Sequence, residues 1–378
     1  MATPSDVDRL RILLTVHHEL ATGSGAAGST LELARALEGR GHAVEVVGFD
    51  LLARRRGATA DAVAFPLAVA RLLRGRLGRS ELDVVDASSG DLAYVGGARV
   101  RTSACAVFTR SHGLEHLCAA RRRQGARYGE LELRRRYSLY HGGWRLREVA
   151  RSFRAADAAL VLNDAEARYA TTSLGIEPDR VVRTAPVVRP VPSVEGEAPH
   201  RDVLVLGPAS WRKGGDVAIR VLESLLRGDE RLTASWHGLD DPAATGTSFG
   251  GDVVGRIRLG GRFDAAALGV LLASHRALLF ASRCEGLPVT VLEAQSAGVC
   301  VVGSDVPGVH DVLQGAGVLV PEGHVEGFVG ALRRILEDDQ QRAALVDQAH
   351  RIAERYRADA VVERLEATYR SVLGRKRR

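Results

Sequence analysis

The amino-acid sequence predicts an α/β chain built as two doubly wound, Rossmann-like domains facing a central cleft. Three observations lead there. A short apolar run, a glycine-rich loop and an amphipathic helix pattern follow one another over residues 12–39, and the same succession restarts over residues 203–225. Between the two lies a stretch crowded with Pro186, Pro190, Pro192 and Pro199. The chain has 378 residues, 46% of them hydrophobic, which suits two cores of ordinary size.

The first half opens on the apolar run Ile12 to Val16, read as a buried parallel strand. Glycines at 23, 25 and 28 follow as a loop, and a helix then shows Thr30, Leu33 and Leu37 on one face before Gly39-Arg40-Gly41 ends it. Val44 to Val47, Val84-Val85, Ala106 to Phe108, Ala158 to Leu162 and Arg180 to Val182 read as further strands. The proline-rich stretch places a domain boundary between residues 190 and 191. Beyond it Val203 to Leu206 is a strand, Gly207 to Gly215 a loop, and Val217, Val221, Leu222 and Leu225 mark a helix face. Strands are expected again at 232–236, 257–259, 277–280, 299–302 and 318–320, with the second domain ending at 358. A helix closes the chain from Asp359 to Leu373, and the basic tail Gly374 to Arg378 is expected to fray.

Composition narrows the partners. Aromatic residues are 5%, too few for the stacking platforms that bind single-stranded nucleic acid, and no nucleic-acid motif accompanies the charge. The net charge of +6 suits an anionic ligand or surface. Four cysteines, none in a C-x-x-C pair, point to a reducing, cytoplasmic setting. Met1 to Leu10 has no apolar core of a signal peptide, and the longest apolar candidate for a span, residues 265–280, is interrupted by His275 and Arg276. The expectation is a soluble protein or one peripheral at the inner face of a membrane. Asp6-Val7-Asp8 has the letters of a metal-binding pair but sits in a polar tail before the first strand, so no metal is expected there.

The segment Ser282 to Ala294 carries the chemistry. Glu285 and Glu293 stand eight positions apart across a loop that runs into a helix, with Gly286, Leu287 and Pro288 where the helix begins. The N–H groups of Val289 and Thr290 would then face the crevice beyond the strand end as an anion site, with the positive end of the helix dipole behind them. Carboxylates beside an anion site make sense if they bind hydroxyls while the backbone binds phosphate, a combination that a nucleotide sugar offers. A glycosidase pair is the rival, but it needs an acid and a base on opposite sides of a sugar. Lys213, in Gly207 to Gly215, sits at the next helix start and reads as a phosphate clamp, with Arg212 beside it. Gly23, Gly25 and Gly28 match the letters of a dinucleotide loop with Asp50 downstream, so a dehydrogenase is a rival for that region alone. His112 follows a strand and precedes Gly113, while His17 and His18 follow the first strand as acceptor-side candidates. Residues 121–154 hold two triple-arginine clusters, read as a solvated helix face or as a contact for an anionic acceptor or membrane.

The Glu285–Glu293 segment, with Glu293-Ala294 and Ala297-Gly298, resembles the glutamate-x7-glutamate motif of retaining glycosyltransferases of family 4, which have the GT-B fold. The resemblance extends over nearly the whole chain. It implies that Glu293 binds both ribose hydroxyls, and that Glu285 binds the donor sugar and stabilises charge developing at its anomeric carbon. Lys213 stands in register with the family's G-R-x5-K-G lysine and would hold the diphosphate. The arginine position holds Pro208, and Arg212 could substitute. Gly25 and Gly28 would let backbone approach the diphosphate, His112 would face the donor sugar, and Arg262 and Phe263 would lie beside the nucleobase. The closing helix, 359–378, would pack back on the first, acceptor-side domain, and 191–358 would bind the nucleotide sugar. No obligatory metal or cofactor is implied. Thr184-Ala185-Pro186 stands where relatives carry Asn-Gly. A catalytically idle binder of nucleotide sugars and a sugar-nucleotide epimerase of the same fold are the alternatives. The nucleotide and the acceptor (surface polysaccharide, glycolipid or small metabolite) stay open.

Overall fold

The computed structural model describes residues 9–20, 25–52, 57–188, 191 and 201–378. Asp6, Asp8, Gly23, Pro190, Pro192 and Pro199 lie outside the described residues. The chain divides into two compact units, Met1–Val187 with Ala358–Arg378, and Val188–Arg357. The sequence reading put the division three residues later, among the prolines.

The first unit holds a parallel sheet of β1 (Arg11–Thr15), β2 (Ala43–Val47), β3 (Val84–Ser88), β4 (Ala106–Arg110), β5 (Ala158–Val161) and β6 (Val181–Arg183), in the order β2-β1-β3-β4-β5-β6. Strands β3, β4 and β5 are buried along their whole length, because helices cover both faces. Those helices are α1 (Gly25–Gly39), α2 (Ala58–Gly78), α3 (Gly97–Thr102), α4 (Glu115–Arg127), α5 (Arg135–Leu139), α6 (Arg145–Ala155) and α7 (Asp164–Thr172). Phe65, Val69 and Leu73 of α2 pack against Leu13, Val85 and Val107, and Val149 and Phe153 of α6 pack against Ala159 and Val161. Helix α1 starts at Gly25, so Gly25 and Gly28 belong to its first turn rather than to the expected loop.

The second unit repeats the plan with β7 (Arg201–Leu206), β8 (Ala234–His237), β9 (Ile257–Leu259), β10 (His275–Phe280), β11 (Cys300–Ser304) and β12 (Val318–Val320). Their order is β12-β11-β10-β7-β8-β9, again all parallel. The chain therefore winds outward from β7 in one direction, then returns to β10 and winds outward in the other. Around the sheet lie α8 (Gly215–Gly228), α9 (Pro242–Gly246), α10 (Ala265–Ala273), α11 (Val289–Ser296), α12 (Pro307–Leu313), α13 (Val325–Glu337) and α14 (Asp339–Ala353). Val217, Val221, Leu222 and Leu225 of α8 meet Phe328, Leu332 and Ile335 of α13 in one core with Val203, Trp236 and Leu279.

The closing helix α15 (Ala358–Lys376) belongs to the first unit. It buries Val361, Val362, Leu365, Tyr369, Val372 and Leu373, spaced to share one face. The Tyr369 ring lies 4.9 Å from Phe108, and its hydroxyl donates to Asp86, which also pairs with the buried Arg110. The expectation of a frayed tail is corrected. The Lys376 ammonium lies 2.7 Å from Asp157 and donates to the Val100 carbonyl at 2.6 Å, and Arg377 reaches Asp83 at 2.6 Å. Acids just before β3 and β5 give the basic end counter-charges, so the helix continues to them. Among the described residues, no helix is long and apolar enough to cross a membrane.

Candidate active site

In an open parallel sheet, the crevice forms beyond the carboxyl ends of the two strands between which the winding reverses. In the second unit those strands are β7 and β10. The loop after β7 runs from Gly207 through a single turn at Trp211–Lys213, capped by the Ser210 side chain, which accepts from the Lys213 amide. Gly214 follows in the left-handed region at φ 70°, and a Cβ there would stand 2.0 Å from the Ala281 carbonyl oxygen. The loop after β10 is thus in backbone contact with the loop after β7. Only glycine at 214 meets both the conformation and the close approach.

That contact brings the expected residues together. The Lys213 ammonium lies 2.7 Å from Glu285 Oε1, and the Arg212 guanidinium 3.5 Å from Glu285 Oε2. Arg212 also donates to the Cys284 carbonyl at 3.3 Å. Lys213 stands over the Phe280 ring at 5.4 Å. Burial pushes the Glu285 carboxyl up, but the neighbouring Lys213 and Arg212 charges and the Lys213 and Ser282 hydrogen bonds outweigh it and hold the group below the ordinary carboxylate value. Glu285 is therefore ionised and locked in place at neutral pH.

Helix α11 begins at Val289 with Pro288 as its N-cap. Its geometry leaves the amides of Val289 and Thr290 without acceptors inside the helix, so they can bind an anion. Glu293 sits half-buried one turn further along. Gly286 is fixed from behind by α12: a Cβ on Gly308 would stand 1.8 Å from the Gly286 carbonyl oxygen. On the β9 side, Gly261 accepts from the Gly238 amide at 2.9 Å, which sets Arg262 and Phe263 beside the end of β8. Arg262 is exposed, with Asp240 at 3.8 Å, and the Phe263 ring edges Gly238.

Sequence reasoning missed the brace under this site. Arg283 is buried and makes two bonds to Asp216, at 2.6 and 2.7 Å, one to the Trp211 carbonyl at 2.8 Å, and stacks on the Trp211 ring at 5.0 Å. It ties the loop that carries Lys213 to the loop that carries Glu285. The only signal was a charged residue between Ser282 and Cys284, where a buried loop has small or apolar side chains.

In the first unit the winding reverses between β1 and β3. There Asp91 accepts from the Thr15 hydroxyl at 2.6 Å and from His17 Nδ1 at 2.7 Å. Arg145, at the start of α6, is buried. It donates to the Ser89 carbonyl and lies 3.3 Å from His17 Nδ1, 3.5 Å from Glu115 and 3.6 Å from Glu148. Gly90 at φ 89° makes room for it, since a Cβ there would collide with the guanidinium. None of Asp91, Arg145 or Glu148 was singled out from the sequence, and His17 is a structural partner of that network. His112 follows β4. Burial and then the Arg110 charge lower its imidazole to about 4, so it is neutral at physiological pH, and its Nε2 has no hydrogen-bond partner among the described residues.

Residues 23–189 match the profile of Glycosyltransferase Family 4, and residues 200–338 that of Glycosyl transferases group 1. The chain belongs to the family 4 glycosyltransferases of GT-B fold. It is 34% identical over 127 residues to the phosphatidyl-myo-inositol mannosyltransferase of Mycolicibacterium smegmatis, a stretch that is 33% of each chain. It is 28% identical over 240 residues, 56% of each chain, to the D-inositol 3-phosphate glycosyltransferase of Jonesia denitrificans. The matched stretches span only a third to about half the length of these relatives. Sucrose-phosphate synthase from Thermosynechococcus elongatus shares the fold, with a TM-score of 0.76 at 14% identity over 97% of this chain and 100% of that one.

Proposed function

We propose that this chain transfers a sugar from a nucleoside-diphosphate sugar to an acceptor hydroxyl with retention of anomeric configuration. The observation that carries the reading is the Lys213–Glu285 pair, held beside the amino end of α11 at the strand reversal of the second unit. Lys213 and the Val289 and Thr290 amides take the leaving diphosphate. Glu293 accepts from the ribose hydroxyls, bidentate as a carboxylate can be. Glu285 accepts from hydroxyls of the donor sugar and places negative charge near the anomeric carbon as positive charge develops there. The bond from that carbon to the phosphate oxygen breaks while the acceptor oxygen forms its bond on the same face. The acceptor proton passes to the departing phosphate oxygen, so no protein base is required. The positive end of α11 and the Lys213 charge supply what a metal would, and the reaction is proposed to be metal-independent. Neutral His112 suits the hydrogen-bonding role that the resemblance gives it.

The test is donor turnover. Incubated with UDP-, GDP- and ADP-sugars in EDTA, the chain is expected to release nucleotide slowly, and faster with an acceptor. Glu285→Gln is expected to lower that rate on the order of a hundredfold with donor affinity little changed. Glu293→Ala is expected to weaken donor binding. A second reading has one observation in its favour: Pro208 stands where the family carries a phosphate-binding arginine, and Arg212 is engaged with Glu285 and the Cys284 carbonyl. Tight nucleotide-sugar binding with no turnover for any donor would establish that reading, an idle binder, instead.

A further inference from the structure

Residues 121–154 contain eleven arginines and three glutamates, a net +8, whereas the whole chain carries +6. The remainder is therefore net negative, and the positive charge of the molecule is local. Part of it is neutralised inside the fold. Arg145 is buried with Glu115 and Glu148, and Arg121 pairs with Glu130 at 2.8 Å, whereas the exposed Arg123 donates to the Gly142 carbonyl and keeps its charge. Arg127, Arg134, Arg135, Arg136, Arg147 and Arg151 are exposed. On α6 the buried side is Arg145, Glu148, Val149, Ser152 and Phe153, and Trp144, Arg147, Arg151 and Arg154 recur every three or four residues on the opposite side. The same subassembly exposes apolar surface. Leu139, at 76%, and Tyr128, at 75%, are the most exposed large hydrophobic side chains among the described residues, and Trp144 is 43% exposed.

We propose that the α4–α6 subassembly of the first unit is a docking surface for an anionic lipid bilayer. Arginines attract an acidic headgroup layer, and Trp and Tyr rings favour the level at which headgroups meet acyl chains. An exposed Leu between them gains by entering that layer and gains nothing from a hydrated polyanion. That separates a bilayer from nucleic acid, which would reward the same arginines but leave Leu139 in water. The inference uses no residue of the donor site, so each can fail without the other.

Co-sedimentation of the full chain with vesicles tests it. Binding is expected to phosphatidylglycerol–phosphatidylcholine vesicles, and not to phosphatidylcholine alone, with loss as salt rises. Arg147→Gln with Arg151→Gln is expected to weaken binding about fivefold for each arginine removed. Leu139→Ser is expected to weaken it about tenfold. All three positions are exposed, and a cooperative thermal melt followed by far-ultraviolet circular dichroism reports that each variant is still folded. Equal binding to both vesicle types, no sedimentation with the anionic ones at low salt, or an unaltered double variant would each overturn the proposal. So would retention on single-stranded RNA at a salt concentration that releases the vesicles.

Discussion

Glu285 and His112 show opposite uses of burial. Burial alone raises the Glu285 carboxyl, yet two cations reverse the sign, so the fold keeps it charged. His112 has a cation nearby and no compensating acid strong enough, so the fold keeps it neutral, at about 4 instead of 6.5. The consequence for stability has a definite sign. Above pH 6.5 neither folded nor unfolded chain protonates this ring, and it contributes nothing. Between 6.5 and about 4 the unfolded chain takes up the proton and the native state does not, so the native state loses stability as pH falls. His18, His42, His116 and His141 are lowered in the same direction, so the effect of His112 must be isolated by difference. Relative to wild type, His112→Asn is expected to gain about 2 kcal/mol between pH 7 and pH 5 in urea titrations. A constant difference across that range would remove burial as the cause. At this scale the sequence was legible where a motif is contiguous, as at Glu285 and Lys213. It was silent on Asp91, Arg145 and the Arg283–Asp216 brace, because His17, Glu115 and Asp216, the partners that set their places, lie far along the chain and leave no local spacing.

The strands were the most legible elements. Each of the twelve described strands overlaps an apolar run read from the sequence, since a parallel strand covered on both faces has few polar positions. Two carboxyl ends in the first unit were read two or more residues short: β3 continues to Ser88 and β4 to Arg110, because Ser88 donates to the Thr15 carbonyl and Arg110 to Asp86. The start of α1 was read late, since glycines say loop before they say helix. Helix propensity and close packing can be set against each other at two glycines. Gly330, inside α13, has nothing within 4 Å of the place an added methyl would take, and Gly308, in the first turn of α12, would meet the Gly286 carbonyl oxygen at 1.8 Å. Gly330→Ala is expected to stabilise the chain by up to about 1 kcal/mol. Gly308→Ala gains the same propensity but must push Gly286 away. It is expected to destabilise the chain by about 1–3 kcal/mol and to weaken UDP binding, read from melting curves with and without UDP. Stabilisation by both substitutions would mean that α12 does not fix the loop that carries Glu285.

For the whole molecule, the repeat of strand, loop and helix announced two similar halves. It did not reveal that one half winds β2-β1-β3 and the other β9-β8-β7-β10. Strand order depends on which crossover each helix makes, and single segments do not encode it. The return of the last helix to the first unit came from the resemblance, and its final turn was misread as a loose tail. Isolated Arg-Lys-Arg-Arg after a glycine looks like a solvated end, yet Asp157 and Asp83 wait for it at the edges of β3 and β5. The Lys376 and Asp157 side chains are only 10% and 15% exposed, so the pair is shielded more than an ordinary surface ion pair. Asp157 also accepts from the Val107 amide, and Asp83 from Arg11 at 2.9 Å, so both carboxylates stay near the strands whatever happens to the helix end. Removing residues 374–378 strips a counter-charge from each and leaves the Val100 carbonyl without its Lys376 donor. That truncation is expected to cost the first unit about 1–3 kcal/mol and to leave the stability of the second unit unchanged. Chemical denaturation should then show the shift in signals from the first unit alone. A chain that unfolds identically with and without those five residues would return the tail to the solvent, where the sequence first placed it.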